Sequence, residues 1–167
     1  ILPLLPKLRY LAFPKQLGYA GAVNEGVKAA NHDLIAVINN DNLPDPLWLK
    51  ELVQEYLQLK NTGREAIVSS LVDRPDFPDP LAAQINIWGR YVRCAKLGNH
   101  VPVHPDGSCF LFSKSVFGLP YDPDYFIYHE DVALGWRAWL MGYEVVMAEK
   151  SRAITFDGGS TRRIKYL

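Results

Sequence analysis

Apolar residues in this chain occur in two patterns, as short continuous runs and as longer stretches with helical spacing. The continuous runs predict strands at 8–13, 34–38, 66–72, 108–112, 143–148 and 152–156. The run at 34–38 contains no polar residue, which is typical of a strand covered on both faces in a parallel sheet. The proline-rich segment 73–80 predicts a loop, and 85–93 predicts an irregular strand or a short helix.

Two stretches with helical spacing lie in the first half of the chain. One begins at Gly18. The other follows Asp45, a predicted N-cap with Pro46 at the first helical position, and ends near Gly63. The residues predicted to face the core are Ala20, Val23, Val27 and Ala30 in the first helix, and Leu49, Leu52, Val53, Tyr56 and Leu57 in the second.

The second half of the chain continues the alternation. A helical turn is predicted from Ser115, and an amphipathic helix at 130–141 is terminated by Gly142. Strands that alternate with helices predict an α/β fold, a single sheet that is parallel in its first half and flanked by helices. Ligands of such sheets bind beyond the carboxyl ends of the strands, so the segments that follow strands are candidates for a site.

Composition and charge narrow the class of protein. The 167 residues suffice for a single domain, which we place at 1–167. Eighteen basic residues balance eighteen acidic ones, which argues against nucleic acid as a partner. Two cysteines without a disulfide pattern predict a reducing compartment, the cytoplasm. Arg162, Arg163 and Lys165 predict either a solvated terminus or peripheral contact with anionic lipid at the inner face of the plasma membrane.

Polar side chains follow directly after the run at 34–38, at Asn39, Asn40, Asp41 and Asn42. Three carboxamides and a carboxylate offer oxygen ligands at one point. Mg²⁺ or Mn²⁺ is often held by one or two carboxylates when substrate phosphates complete the shell. The alternative is a polar turn, since Asn and Asp favour turns.

Two further segments open helices. Glycines at 18–26 let the backbone approach an anion at a helix start, although close packing of the helix on the sheet explains them equally well. His129, Glu130 and Asp131 open the late helix, where the helix dipole alone stabilises carboxylates. The alternative is that one carboxylate acts as a general base on an acceptor hydroxyl.

Taken in order, these segments resemble the family 2 glycosyltransferases, in particular the rhamnosyltransferase-like members. The matching residues are Gly18-Tyr19-Ala20-Gly21 with Asn24, Asn39-Asn40-Asp41, Asp45-Pro46-Leu47-Trp48-Leu49, Tyr125-Phe126-Ile127-Tyr128-His129-Glu130-Asp131, Arg137, Gly142-Tyr143 and Gly158-Gly159-Ser160. The resemblance implies a GT-A fold, a single Rossmann-like sheet of the nucleotide-diphospho-sugar transferase type. It also implies transfer of a sugar to an acceptor hydroxyl, usually with inversion, in polysaccharide or glycoconjugate synthesis.

The resemblance implies roles for the matching residues. Asp131 would be the catalytic base, with Glu130 beside it in the acceptor region, and Asp41 would bind Mg²⁺ or Mn²⁺. The residues that would border the nucleotide or sugar are Gly18, Tyr19, Ala20, Asn24, Asn39, Asn40, Gly107 and Ser108. The implied partners are a nucleoside-diphosphate sugar donor and a saccharide or lipid-linked saccharide acceptor.

The chain departs from the family pattern in two places. The family's opening strand should precede residue 8 and is not found, so we expect an N-terminally incomplete domain or a copy that binds donor poorly. Many relatives carry a histidine before the final glycine pair, where this chain has Phe156 and Asp157. Asp157 either substitutes as an oxygen ligand of the metal or leaves the metal site weaker.

Three alternatives remain open. One is a catalytically inactive nucleotide- or carbohydrate-binding module of the same fold. Another is an inverting glycoside hydrolase with two carboxylates roughly 6.5–9.5 Å apart, which leaves the 39–41 segment unexplained. The third is a nucleotidyltransferase, which would usually have a more basic phosphate loop.

The other histidines and the tryptophans are predicted to be structural. His100 and His104 are interpreted as an ordinary surface pair in a loop, since a zinc site needs more ligands. The tryptophans Trp48, Trp88, Trp136 and Trp139 are predicted to lie mostly in the core, with Trp88 the candidate for stacking on a sugar.

Overall fold

The computed structural model describes residues 8–74, 82–85, 91–94 and 104–155. The helices are α1 (Gly18–Ala29), α2 (Trp48–Asn61), α3 (Lys114–Phe117) and α4 (Glu130–Leu140). The strands are β1 (Leu34–Ile38), β2 (Asn42–Pro44), β3 (Ala66–Asp73), β4 (Ala82–Ile85), β5 (Tyr91–Cys94), β6 (Cys109–Ser113) and β7 (Glu144–Thr155). The predicted α/β fold, a central sheet flanked by helices, is confirmed.

The main sheet has the strand order β1-β6-β3-β7-β2. Only the pairing of β3 with β7 is parallel among the described strands, so the prediction of a parallel first half is wrong. The reason is that β6, from much later in the chain, inserts between β1 and β3 and runs antiparallel to both. Ala36 and Ile38 of β1 are exposed, so this strand is not covered on both faces as predicted.

The two faces of β6 build two halves of the core. Phe110 and Phe112 pack on one face with residues of α1, α3 and α4. Cys109 and Leu111 pack on the other face with residues of α2. Every residue of β6 is buried, because helices cover both faces of a strand in the middle of the sheet. This placement explains the continuous apolar run in the sequence.

Helix α2 buries a narrower face than its sequence predicts. Its buried residues are Trp48, Leu52, Tyr56 and Leu59, whereas Leu49 and Leu57 are each 48% exposed, so their predicted inward positions are wrong. The helix begins at Trp48 because Asp45 closes the preceding turn, accepting a hydrogen bond from the Leu47 amide at 2.9 Å. Gly63 (φ +75°) follows the end of the helix, near the predicted position.

Strand β7 is one strand of 12 residues and not the two strands predicted. Its pairing with β3 shifts register between Ser70 and Leu71. A buried ring of hydrogen bonds lies there: Trp48 Nε1 donates to Ser70 Oγ (2.8 Å), the Ser70 and Ser151 hydroxyls are 2.9 Å apart, and Ser151 Oγ donates to Trp48 O (3.0 Å). Since Ser151 donates its hydrogen to Trp48, Ser70 donates to Ser151.

Other predictions fare differently. The segment 8–13 is not a strand, and its apolar residues Leu8, Tyr10, Leu11 and Phe13 are 40–77% exposed. In the region 85–93, the strand alternative agrees with the described residues, since Ile85 ends β4 and 91–93 lie in β5, its antiparallel partner. Trp136 and Trp139 are about half exposed, whereas Trp48 is buried as predicted and Trp88 lies outside the described residues. None of the described helices has the length and apolar character needed to cross a membrane.

Candidate active site

The end of β1 and the start of β6 lie at one edge of the sheet, because Ile38 pairs with Cys109 in an antiparallel register. The polar segment after β1, residues 39–42, therefore lies beside the segment before β6, residues 104–108. The Asn39 amide donates to Ser108 O at 2.9 Å, which joins the two directly. We call them the 39–42 turn and the 104–108 loop.

A chain of hydrogen bonds fixes the 104–108 loop. Asp106 Oδ1 accepts from the Ser108 hydroxyl (2.6 Å) and amide (3.0 Å), and Asp106 Oδ2 accepts from Arg74 Nη2 (2.8 Å). The Asp106 amide donates to Ser69 Oγ in β3 at 2.8 Å. Asn42 Nδ2 donates to Ser108 O (3.1 Å) and Oγ (2.9 Å), so the network extends into the 39–42 turn.

The 39–42 turn retains oxygen atoms that the protein does not use. Asp41 Oδ1 and Asn42 Oδ1 are buried and have no hydrogen-bond partner among the described residues. Asn39 is half-buried and Asn40 is exposed. Buried polar atoms of native proteins are nearly always paired, so these two oxygens suggest a missing ligand.

The start of α1 packs against the segment that precedes α4. The Tyr19 amide donates to Phe126 O at 2.8 Å. Gly18 has φ +71°, and a Cβ there would lie 2.3 Å from Phe126 O, so the approach requires glycine. The amide of the second helical residue therefore bonds to protein rather than remaining open to a phosphate.

Ala20 and Asn24, two of the residues predicted to border the donor, contact only protein in the described structure. Ala20 is fully buried in the core. The Asn24 carboxamide uses both of its ends on the backbone of Tyr121, donating to Tyr121 O at 2.8 Å and accepting from the Tyr121 amide at 3.2 Å. These residues thus support the site from beneath, and the geometry gives neither a direct contact with a donor.

Tyr121 and Tyr19 together hold the 104–108 loop. Both hydroxyls donate to Gly107 O, Tyr121 at 3.2 Å and Tyr19 in a shorter bond. Burial raises the pKa of both phenols far above the ordinary range, so both remain protonated donors. The loop is thereby fixed against α1 and against the segment that follows β6.

The backbone before α4 is in a strained conformation. Tyr128 (φ 71°) and His129 (φ 65°) are consecutive non-glycine residues in the left-handed region. Such residues cost roughly 1–3 kcal/mol each and cluster at functional sites. His129 precedes the helix without a side-chain cap, so Glu130 and Asp131 are its first two residues.

Asp131 lies against Gly107 in a close contact. A Cβ on Gly107 would come within 3.0 Å of Asp131 Cβ, so a larger residue at position 107 would displace the carboxylate. Asp131 Oδ1 accepts from the Val132 amide at 2.8 Å, and His104 Nδ1 lies 3.6 Å from Oδ2. Burial raises the pKa of Asp131, while the charge on His104 opposes that effect.

Glu130 is 7% exposed, and its Oε2 has no hydrogen-bond partner among the described residues. Burial raises the pKa of this carboxyl, and the neighbouring charge of Asp131 adds to the effect. The two carboxylates thus differ: Asp131 faces Gly107 and His104, and Glu130 faces the interior.

The structure therefore brings together most of the residues predicted for the site. Gly18, Tyr19, Gly107, Ser108 and Asp131 are linked by direct contacts, and Asn42 connects them to the turn that carries Asp41. Asp157 lies outside the described residues. The interpretation of His104 as a surface residue is wrong, since it is only 3% exposed.

Sequence reasoning missed His104, Asp106 and Tyr121 as members of this site. The Asp-Gly-Ser order at 106–108 is an ordinary turn signal, so it pointed to a loop rather than to a network. Tyr121 carries no local signal, because its role depends on Asn24, which is 97 residues away.

One groove of about 380 Å³ lies elsewhere, between α2 and β7, where its lining includes Glu51, Glu55 and Glu149. None of the residues that line this groove belongs to the hydrogen-bond network of the 39–42 turn and the 104–108 loop. We therefore place the site at the edge of the sheet, where the side chains meet.

The comparisons with known proteins agree with this architecture. The model of the family described as "Glycosyl transferase family 2" matches residues 2–118. The chain belongs to glycosyl transferase family 2. The match ends before α4, so Asp131 lies beyond it.

Among 51 chains of solved structures that match is the crystal structure of GalNAc-T7 with UDP, GalNAc and Mn²⁺. Its TM-score is 0.71 at 15% sequence identity. The match covers 88% of this chain and 31% of GalNAc-T7, so the chain spans less than a third of the length of that protein. The likeness shows the GT-A fold. No curated protein matches this member of the family.

Proposed function

We propose that this family 2 chain transfers a sugar from a nucleoside-diphosphate donor to a hydroxyl of a saccharide or lipid-linked saccharide, with inversion at the anomeric carbon. The product would be a polysaccharide or glycoconjugate. One observation carries the proposal: continuous contacts run from Asn42 through Ser108 and Gly107 to Asp131. A turn with oxygens that no described residue uses and a half-buried carboxylate therefore share one edge of the sheet.

The 39–42 turn is the side that we assign to the donor diphosphate. Asp41 Oδ1 and Asn42 Oδ1 are hard oxygen donors of the kind that Mg²⁺ and Mn²⁺ prefer, and both are buried without a partner among the described residues. Among the described residues, no group of three or more His, Cys, Asp or Glu side chains is arranged so that it could hold a metal ion. The residues present therefore fit a cation that takes one or two ligands from protein and the rest from phosphate and water.

In this assignment Asp41 would hold the cation with Asn42 beside it, and Asp157 would be a further ligand. When bound, the cation neutralises negative charge on the departing diphosphate. The presence of UDP and Mn²⁺ in the GalNAc-T7 structure supports this choice of ligand class. The protein's own contribution is to hold Asn42 through Ser108, so that the turn is in place before the donor arrives.

Asp131 is the residue that we assign to the acceptor. Its carboxylate takes the proton of the acceptor hydroxyl while the hydroxyl oxygen forms a bond to the anomeric carbon. The bond from that carbon to the phosphate oxygen breaks, and the nucleoside diphosphate leaves with the electron pair. Burial raises the pKa of Asp131, which makes the carboxylate a stronger base than an exposed aspartate.

Gly107 and Glu130 complete the acceptor side. Tyr19 and Tyr121 both donate hydrogen bonds to Gly107 O, and Gly107 packs against Asp131. The orientation of the Asp131 carboxylate therefore depends on both tyrosines. We place Glu130 in the acceptor region, beside the base, where its burial keeps the adjacent backbone of α4 fixed.

The test is a transfer assay with the full chain, Mn²⁺ or Mg²⁺, a panel of UDP-, GDP- and dTDP-sugars, and saccharide acceptors. We expect a product whose anomeric proton, followed by NMR, shows the opposite configuration from the donor. Asp131→Asn should abolish it, while the exposed carboxylate variant Glu149→Gln serves as the control. Full activity of Asp131→Asn would remove that residue from the mechanism.

Other results would assign a different function. Binding of nucleotide and Mn²⁺ without transfer or donor hydrolysis would identify a binding module of the same fold. Cleavage of a glycosidic bond without nucleotide or metal would identify a hydrolase. Retention of the anomeric configuration would contradict only the inverting stereochemistry and would leave the proposed sugar transfer standing.

A further inference from the structure

His104 is a buried histidine whose ring faces the carboxylate assigned as the base. It is 3% exposed, with Nδ1 2.9 Å from Pro105 O and 3.6 Å from Asp131 Oδ2. A carbonyl oxygen can only accept a hydrogen bond, so Nδ1 carries the hydrogen. Nδ1 donates this hydrogen to Pro105 O, and the contact with Asp131 Oδ2 is electrostatic because 3.6 Å exceeds hydrogen-bond distance.

Besides His104, the Val132 amide favours the ionised form of Asp131, whereas the carboxyls of Asp106 and Glu130 do not. Tyr19 from α1 and Tyr121 are neutral phenols. Arg74 pairs with Asp106, and His129 acts on Glu130. Among the described residues, His104 is thus the basic side chain within 4.0 Å of the Asp131 carboxylate.

The geometry points to His104 as a positioning residue for Asp131: its buried ring lies 3.6 Å from Oδ2, and the dipole of its Nδ1–H favours the ionised carboxylate at the moment when an acceptor hydroxyl must lose its proton. This inference rests on the proposed function for the role of Asp131 as base. Burial raises the pKa of Asp131 and the electrostatic effect of His104 lowers it, in agreement with the geometry.

A histidine suits this position better than a permanent cation. A buried ion pair with Arg or Lys would hold Asp131 as a weak base, whereas a neutral imidazole only directs a dipole at it.

The test compares two variants of the full chain. His104→Phe keeps a ring but removes both nitrogens, and His104→Asn keeps an N–H close to the position of Nδ1 but cannot become charged. The exposed His32→Asn is the matched control. The titration of Asp131 is followed by NMR of ¹³C-labelled aspartate carboxyls, with the resonance assigned from Asp131→Asn.

We expect Asp131 to titrate at a higher pH in both variants than in the wild type, with the larger shift in His104→Phe and none in His32→Asn. The acidic limb of the kcat/KM profile for sugar transfer should move in the same direction. At pH 6 the loss should be on the order of tenfold, as for a shift of about one pH unit in the titration of the base, and it should diminish at high pH.

An unchanged Asp131 titration in a folded His104 variant overturns the inference, as does an equal loss of rate at every pH. If His104→Phe does not fold, the shift in His104→Asn decides. If the wild type transfers no sugar, the proposed function fails, while the NMR titration still decides whether His104 supports Asp131.

Discussion

The two sides of the candidate site differ in how completely protein groups surround them. On the Asp131 side, Tyr19 and Tyr121 hold Gly107, and Gly107 and His104 enclose the carboxylate. On the side of the 39–42 turn, Asn40 is exposed, and buried oxygens of Asp41 and Asn42 have no partner within the described part of the chain.

This difference indicates a division of work between protein and ligand. A base must be aimed and desolvated before the reaction, so its surroundings are best built from side chains. A diphosphate brings its own charge and its own cation, so its binding region can stay open until the donor arrives. The comparison predicts that variants on the Asp131 side change the rate, whereas those on the turn change ligand affinity.

The largest effect is expected for Asp131→Asn. Loss of a general base costs about 10²–10⁴-fold in rate, and donor affinity should be nearly unchanged because the donor contacts the other side. Single-turnover kinetics and nucleotide titration separate the two effects. The melting temperature should not fall, since the variant removes a buried carboxylate. An equal loss of donor affinity would abolish the distinction between the two sides.

Asp41→Asn should show the opposite pattern, with a loss in ligand affinity. Changes to the surroundings of a bound metal already cost about 10–100-fold in affinity, so loss of a direct ligand should weaken Mn²⁺-dependent nucleotide binding by at least about 100-fold. Isothermal titration calorimetry with and without Mn²⁺ measures this. Asp124→Asn, in an exposed loop, is the control. Binding that is equally strong in Asp41→Asn would place the cation elsewhere.

Gly18→Ala tests whether the contact of α1 with Phe126 supports the base. A Cβ at 2.3 Å from Phe126 O and a left-handed φ should destabilise the fold by about 2–4 kcal/mol. Gly26→Ala is the matched control in the same helix, with no atom within 4 Å of its new Cβ, and should stabilise by about 0.5–1 kcal/mol. Urea denaturation measures both. Equal effects of the two variants would show that the contact is loose.

The smallest effect concerns the pH dependence of stability at Glu130. Because burial raises its pKa above 4.5 in the folded state, its contribution to stability is fully present below about pH 4.5 and is lost as the pH rises through the folded value. Glu130→Gln removes this loss. The variant should therefore gain melting temperature at pH 8 relative to the wild type, and gain little at pH 4. If melting temperature depends on pH in the same way in the wild type and in Glu130→Gln, the Glu130 carboxylate is solvated.

The sequence predicted the parts of the fold that depend on local pattern. The boundaries of β1 and of the start of α1 follow from apolar runs and glycines, and most of the candidate site follows from motifs that share one order. Helical spacing also placed Leu52 and Tyr56 correctly. It misplaced Leu49 and Leu57, because the part of α2 that is covered depends on the residues of β3, β6 and β7 that pack against it.

The rest depends on long-range pairing that local pattern does not contain. Whether β1 has a parallel or an antiparallel neighbour is decided by β6, more than 70 residues later. His104 looked like a loop residue because the sequence does not show that α4 returns to cover it. The role of Asp41 remains a prediction, since the structure shows its free oxygen and no ligand.

The ring of Trp48, Ser70 and Ser151 lies where the pairing of β3 with β7 changes alignment. Beyond that point β7 carries Thr155, which pairs with Asn42. A shift of the β3–β7 pairing by one residue at this ring would turn the side chains at the end of β7 to the opposite face of the sheet. It would also displace β2, which pairs with β7. Three buried hydroxyl and indole contacts therefore set where the 39–42 turn ends, and errors there would leave a folded sheet with a misplaced Asp41.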